Sequence, residues 1–370
     1  MSEQRTGPVG IGIIGAGVIS GTYLENLTSF PDVRVQAVGD LFPEAAKARA
    51  EEHGVPRHGG IDAVLEDPEV EIVVNLTIPS AHVDVSLQAL AAGKHVWSEK
   101  PVALDLEGGQ RLLGAADAAG LRLGCAPDTF LGTGLQTALK ALARGDIGTP
   151  LTALTLMQSP GPESWHPNPA FLFQTGAGPL FDIGPYYVTT LVQAFGAVES
   201  VAAIGSTSRE SRVIGSGPKA GESFEVTVPT HVSALARFSS GQSSQSTFSF
   251  DSQLQRHGFV EISGTEATLA LPDPNNFDGD VRIMRKGGED WEVLASTKAQ
   301  STRGTGVLEM ARALRAGRPH RVQGSLAHHV LDVMVAIDES VRTRRFVDVA
   351  STVEKAAPLP DDWDPFARTL

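Results

Sequence analysis

The stretch Val9–Gly21, VGIGIIGAGVISG, constrains this chain more than any other. The β-branched and small apolar residues from Val9 to Ile14 read as a buried strand. They run into Gly15-Ala16-Gly17-Val18-Ile19-Ser20, after which Tyr23, Leu24 and Leu27 begin a helical pattern. A strand, a glycine turn and a helix in that order make an anion site, because glycine admits close approach and the helix N-terminus presents unpaired N–H groups. Ser20 stands where the G-x-G-x-x-G pattern has its third glycine, a packing position that a small serine also suits. Asp40 follows the next apolar run, Val33–Gly39, 20 residues beyond Ser20. A carboxylate there accepts hydrogen bonds from both ribose hydroxyls of an adenosine, so the stretch reads as a dinucleotide site. Gly15, Gly17, Val18 and Ile19 are the expected pyrophosphate contacts. Asp40 repels an extra phosphate on the ribose, which favours NAD over NADP.

The chain has 370 residues, enough for two domains. Its net charge of −13, with no basic stripe, argues against nucleic acid or an anionic membrane as a partner. Cys125 is the only cysteine, which excludes an internal disulfide and a cysteine-based metal site. His, Asp and Glu also show no metal-ligand spacing, so no metal is expected. Met1–Pro8 is polar, and no apolar run reaches membrane-spanning length, so the expected location is cytoplasmic.

From Val9 to about Gly124, short apolar runs alternate with amphipathic helices, the pattern of a doubly wound parallel sheet. Ligands of such sheets lie at the carboxyl ends of the strands. Strands are expected near His58–Gly60, Glu71–Leu76, Lys94–Trp97 and Leu121–Cys125, with helices from Pro43 and over Leu104–Ala119. Ser80 reads as the N-cap of a helix burying Val83, Leu87, Leu90 and Ala91. Beyond Pro150 the pattern changes. Leu151–Met157 is an expected strand, and a helix spans about Pro185–Phe195. Period-two runs then follow from Phe224 to Ile283, and Gly205–Gly221 reads as a loop. Successive strands with few helices indicate a mostly antiparallel sheet with one apolar face; the other, carrying Ser243, Gln245 and Thr247, is solvated or meets another subunit. A helix over Gly324–Arg344 closes the series. The expected fold is α/β: a doubly wound Rossmann dinucleotide-binding domain over 1–126, and an α+β domain over 127–370 with a large, mostly antiparallel open sheet.

With these elements placed, the chain resembles the glucose–fructose oxidoreductase, inositol dehydrogenase and rhizopine-catabolism family, Gfo/Idh/MocA. The residues that carry the resemblance are Gly15–Ser20, Thr77-Ile78-Pro79 with His82, Glu99-Lys100-Pro101, Gly176-Ala177-Gly178 before Asp182-Ile183-Gly184, and Gly264-Thr265-Glu266-Ala267. The resemblance implies an NAD(P)-dependent oxidoreductase transferring hydride to or from a sugar, glycoside or cyclitol, and a homodimer or homotetramer assembled through the open sheet. It also implies that Thr77, Pro79, His82 and Glu99 line the nicotinamide side, with Asp128 a weaker candidate.

Oxidising a secondary alcohol needs the carbinol hydrogen set against the nicotinamide and a group to take the hydroxyl proton. Lys100 ends the fifth strand, and Pro101 keeps its backbone extended, so its ammonium can orient the reacting oxygen and stabilise alkoxide character. Asp182 begins what resembles the family's Asp-x-x-x-His pair, but the residue four positions on is Tyr186. An unperturbed tyrosine, with a pKa of about 10, needs a nearby cation such as Lys100 to act as a base. His166, in a Pro-rich loop after Trp165, is the rival proton acceptor, while Trp165 can stack on a sugar face or anchor the loop. Two other outcomes stay open: a glycoside-cleaving enzyme that oxidises its substrate transiently, and a sensor that binds NAD and sugar without turnover.

Overall fold

The computed structural model describes residues 6–296 and 301–370, which divide into two compact units. The first holds the described chain up to Gly132, 301–331 and Leu359–Leu370; the second holds Thr133–296 and Asp332–Pro358. The chain therefore returns to the first unit twice, which a single division after residue 126 does not capture.

The first unit runs β1 (Val9–Ile14), α1 (Val18–Ser29), β2 (Val33–Gly39), α2 (Pro43–His53), β3 (Arg57–Gly59), α3 (Asp62–Leu65), β4 (Ile72–Asn75), α4 (His82–Ala91), β5 (His95–Ser98), α5 (Leu106–Ala119) and β6 (Leu123–Cys125). All its strands pair in parallel, in the order β3-β2-β1-β4-β5-β6. The order reverses between β1 and β4, where a doubly wound sheet opens a crevice for ligands. Strands β1 and β4 are buried along their whole length, which is why they read as continuous Val/Ile runs. Local signals set the helix ends. The Asp105 carboxylate accepts from the Gly108 N–H (2.7 Å) to start α5, and Gly54 and Gly120 end α2 and α5 in left-handed geometry.

Helix α4 corrects one expectation. Pro79–Ala81 forms a 3-10 turn, α4 begins at His82, and Ser80 caps nothing. The buried face is His82, Val85, Ser86, Ala89 and Leu90, so Val83, Leu87 and Ala91 do not carry it. Two polar residues can occupy that face because Asn75, at the end of β4, donates to the His82 carbonyl and to Ser86 Oγ, both at 3.0 Å.

The second unit continues with α6 (Thr133–Arg144), β7 (Pro150–Gln158), α7 (Gly178–Phe195), β8 (Val198–Ser206), β9 (Ser211–Val213), β10 (Ser223–Glu225), β11 (His231–Phe238), β12 (Ser243–Ser249), β13 (Arg256–Gly264), β14 (Ala267–Leu271), β15 (Arg282–Arg285) and β16 (Glu292–Val293). Helix α8 (Thr305–Arg315) belongs to the first unit, the division falls within α9 (Gly324–Thr343), and β17 (Val347–Asp348) closes the second sheet. That sheet has nine strands in the order β16-β15-β14-β13-β7-β12-β11-β8-β17, antiparallel except for β7 against β12. Helices α6 and α7 pack on one face. The other exposes Leu154, Ile204 and Leu235 beside Ser243 and Gln245.

Three expectations shift here. Phe224 lies in a separate two-stranded ribbon of β9 and β10, so Val226 and Val228 are outside the large sheet and Gly205–Gly221 contains a strand. Helix α7 starts at Gly178, with Pro185 inside it. Proline there removes only one N–H from the helix ladder, and burial of nearly every residue from Gly184 onward outweighs that loss. Helices α6 and α8 went unread because polar residues share their buried faces. In α8, Glu309 is fully buried against Arg318 and Arg321, and Arg312 meets Asp32 at 2.8 Å.

Candidate active site

The glycine turn after β1 packs so closely that a side chain is excluded at one position and left open at the next. Gly15 has φ +108°, and a Cβ there would lie 2.6 Å from the Leu76 carbonyl. A Cβ on Gly17 would meet nothing within 4 Å, leaving space in front of α1, whose N-terminus has no side-chain cap. Ser20 is fully buried, and its hydroxyl donates to the Gly17 carbonyl (2.6 Å), so it fills the third-glycine position without an unsatisfied polar atom. Asp40 accepts from Ala16 N–H at 2.6 Å and from Phe42 N–H at 2.8 Å. Each of its oxygens keeps a second lone pair for a ribose hydroxyl. Val18 (93 % exposed), Leu41 (88 %), Phe42 (69 %) and Ile78 (67 %) follow β1, β2 and β4 directly. Large apolar side chains exposed along the carboxyl edge of a sheet fit the flat faces of a dinucleotide. The turn and Asp40 fit its phosphates and ribose.

The ends of β4 and β5 complete this edge. Thr77 donates its N–H and its hydroxyl to Asn75 Oδ1, at 3.2 and 2.7 Å, which shapes the Thr77-Ile78-Pro79 turn. His82 is buried, with Nδ1 2.7 Å from the Pro101 carbonyl and Nε2 3.0 Å from the Thr77 carbonyl. Both neighbours are carbonyl oxygens, so the ring ties the β4 and β5 loops together. Glu99 is turned inward. Its carboxylate accepts from Tyr23 O–H at 2.8 Å and from Lys100 N–H at 3.0 Å. Lys100 is half-buried at the carboxyl end of β5. Asp128 is fully buried and accepts from Gly304 N–H (3.2 Å) and Gly306 N–H (3.0 Å), a cap on α8. Burial holds its carboxyl above the usual range, against the pull of Arg303.

In the second unit, Asp182 and Tyr186 share one face of α7, Asp182 half-buried and Tyr186 buried. The loop before α7 forms two 3-10 turns, Pro162–Ser164 and Ala170–Phe173. Trp165 and Phe171 stand exposed on either side of His166, each ring 5.5 Å from the imidazole. His166 Nδ1 accepts the Asn168 N–H at 3.0 Å. With Nδ1 accepting, the neutral ring carries its proton on Nε2. Arg212 holds this loop: its buried guanidinium pairs with Glu163 and Asp251, donates to the Pro160 carbonyl (3.1 Å) and lies 4.9 Å over the Phe173 ring.

Sequence reasoning missed Tyr23, Asn75, Trp97 and Arg212. The one available signal was polarity in apolar company, as with Asn75 closing Ile72-Val73-Val74 and Tyr23 in the buried stripe of α1. Among the described residues, no three His, Cys, Asp or Glu side chains converge as a metal site, and no helix is long and apolar enough to cross a membrane.

Residues 9–126 match the model of an oxidoreductase family with an NAD-binding Rossmann fold, and residues 135–270 match the C-terminal domain model of the same family. The chain belongs to the Gfo/Idh/MocA family. Among Gfo/Idh/MocA relatives, 1,5-anhydro-D-fructose reductase of Ensifer adhaerens is 27% identical over 70% of this chain and 74% of its own. Inositol 2-dehydrogenase of Ralstonia nicotianae is 34% identical over 38% of this chain and 43% of its own. A levoglucosan dehydrogenase solved with NADH and L-sorbose shares the fold, with a TM-score of 0.79 at 20% identity over 93% of this chain and 99% of that one. The chain is thus an NAD(P)-dependent oxidoreductase of this family.

Proposed function

We propose that this oxidoreductase transfers hydride between NAD and a secondary alcohol or ketone of a sugar, glycoside or cyclitol. The observation that carries the reading is Lys100 at the end of β5, on the same sheet edge as the open glycine turn and Asp40. Bound NAD supplies or takes up the hydride. Gly15, Gly17, Val18 and Ile19 surround the pyrophosphate, and Asp40 accepts from the ribose and disfavours NADP by charge. The Thr77-Ile78-Pro79 turn sets its exposed Ile78 against the nicotinamide side. Lys100 binds the reacting oxygen and stabilises its alkoxide character. Asp182 and Tyr186 contact substrate, with Tyr186 the proton acceptor; Trp165 and His166 add stacking and a donor. His82 and Glu99 serve this site from within, by holding its loops. The named activities of the relatives support the carbohydrate class.

In this reading, residues 1–126 bind cofactor, and the bulk of 127–370 binds substrate and assembles the oligomer. The exposed sheet face, with Ile204, Leu235 and Leu154, supports a homodimer or homotetramer. A panel of sugars, cyclitols and glycosides with NAD and with NADP tests the reaction. Reduced nicotinamide formed in proportion to oxidised sugar is the expected result, and no hydride transfer in either direction contradicts it. Tyr186, in place of the family's histidine, favours a second reading as a glycoside-cleaving enzyme, marked by sugar release without net reduced nicotinamide.

A further inference from the structure

We propose that Tyr23 is a positioning residue for Lys100, acting through the Glu99 carboxylate. The proposal rests on the role given to Lys100 above. Three hydrogen bonds form the connection. Trp97 Nε1–H donates to Tyr23 Oη at 3.2 Å, Tyr23 O–H donates to Glu99 Oε1 at 2.8 Å, and Lys100 N–H donates to Glu99 Oε2 at 3.0 Å. Tyr23 and Trp97 are both fully buried, so no water replaces these partners. Tyr23 lies on α1, the helix whose N-terminus faces the nucleotide space, and Trp97 lies on β5, which ends just before Lys100.

The backbone on both sides of Lys100 is tied down. Glu99 N–H donates to the Asn75 carbonyl at 2.9 Å, and the Glu99 carbonyl accepts from Ser98 Oγ at 2.9 Å. The Pro101 carbonyl meets His82 at 2.7 Å, and Pro101 has no N–H to place. The remaining amide is that of Lys100, and its acceptor is a side chain free to rotate unless the Tyr23 hydroxyl fixes it. With that hydroxyl in place, the carboxylate plane sets the Lys100 amide, and with it the direction in which the lysine side chain leaves the backbone. Burial and the Glu99 charge push the Tyr23 phenol well above its ordinary pKa, so it remains a donor throughout the working pH range.

Tyr23→Phe keeps the ring and deletes the donor. The test is the NMR signal of ¹³C-methylated Lys100 in the full-length protein, assigned by its loss in Lys100→Arg, read together with kinetics. The expected result is a displaced Lys100 signal with the other lysine signals in place. Turnover should fall about tenfold to hundredfold, with KM for the sugar and Kd for NAD changed less than about twofold. An unmoved Lys100 signal with wild-type turnover overturns the proposal. So does displacement of all lysine signals with KM, Kd and turnover altered together, the mark of a merely structural tyrosine. Should Tyr23→Phe fail to fold, Glu99→Ala, which removes the acceptor from Lys100 N–H altogether, must displace the same signal; an unmoved signal overturns the proposal. If no sugar supports hydride transfer in the wild-type protein, the reaction reading fails, and the lysine signal still decides the positioning.

Discussion

At the carboxyl edge of the first unit's sheet, many short hydrogen bonds to backbone groups share the work. Asp40 is met by two amides, His82 by two carbonyls, and Glu99 by an amide and a tyrosine. The loop before α7 in the second unit depends on one side chain, the buried Arg212 with its two carboxylates. A site whose ties are spread over several elements loses one link at a time, whereas a loop held by a single ion cluster loses its ties together at one residue. The first arrangement suits a cofactor common to a family. The second leaves Trp165 and Phe171 exposed, with His166 half-buried between them in sequence, on a loop with one anchor.

The largest expected effect tests the second unit. Arg212→Ala leaves the half-buried Glu163 and Asp251 without their cation and empties the buried guanidinium site, and should cost about 3 kcal/mol, measured by denaturant unfolding. A loss below about 1 kcal/mol would mean that the loop has other anchors.

Acid should act first on the first unit. His95 and His320 both sit there, each lowered to a pKa of about 4, chiefly by burial. A histidine with a depressed folded pKa is fully stabilising above its unfolded value of about 6.5. That contribution is lost as pH falls from about 6.5 towards 4, because the unfolded state takes up the proton first. Between pH 7 and 5 the pair should cost about 2–4 kcal/mol. Hydrogen exchange should rise at β5 and β6 before β11 and β12, and His320→Gln should narrow the gap. Equal acid sensitivity in the two sheets would break the contrast.

A smaller effect concerns the cofactor. Asp40→Ser keeps an acceptor and removes the charge, so the affinity ratio of NAD to NADP should fall about tenfold, near 1.4 kcal/mol, in titrations of both nucleotides.

Much of the first unit was legible because each of its signals has a local cause. The β1 run and the Gly15–Gly17 turn report burial and close backbone approach directly. Period-two alternation likewise exposed β11 to β14. What stayed hidden needs partners distant in sequence. Nothing in the neighbourhood of Tyr23 points to Glu99, 76 positions away, and nothing near Arg212 points to Glu163 or Asp251. Helix α8 hid for the same reason, since its buried Glu309 and Arg312 read as solvent-facing until Arg318, Arg321 and Asp32 are in place. The inward turn of Glu99 and His82 also depends on partners carried by other turns and helices.

Single-turnover mixing of NAD-loaded protein with the responsive sugar, wild type against Lys100→Met, tests the central claim most directly. The account predicts a loss of about 10³-fold in the rate of reduced-nicotinamide formation, with NAD affinity changed less than about threefold. Undiminished hydride transfer in Lys100→Met would contradict it.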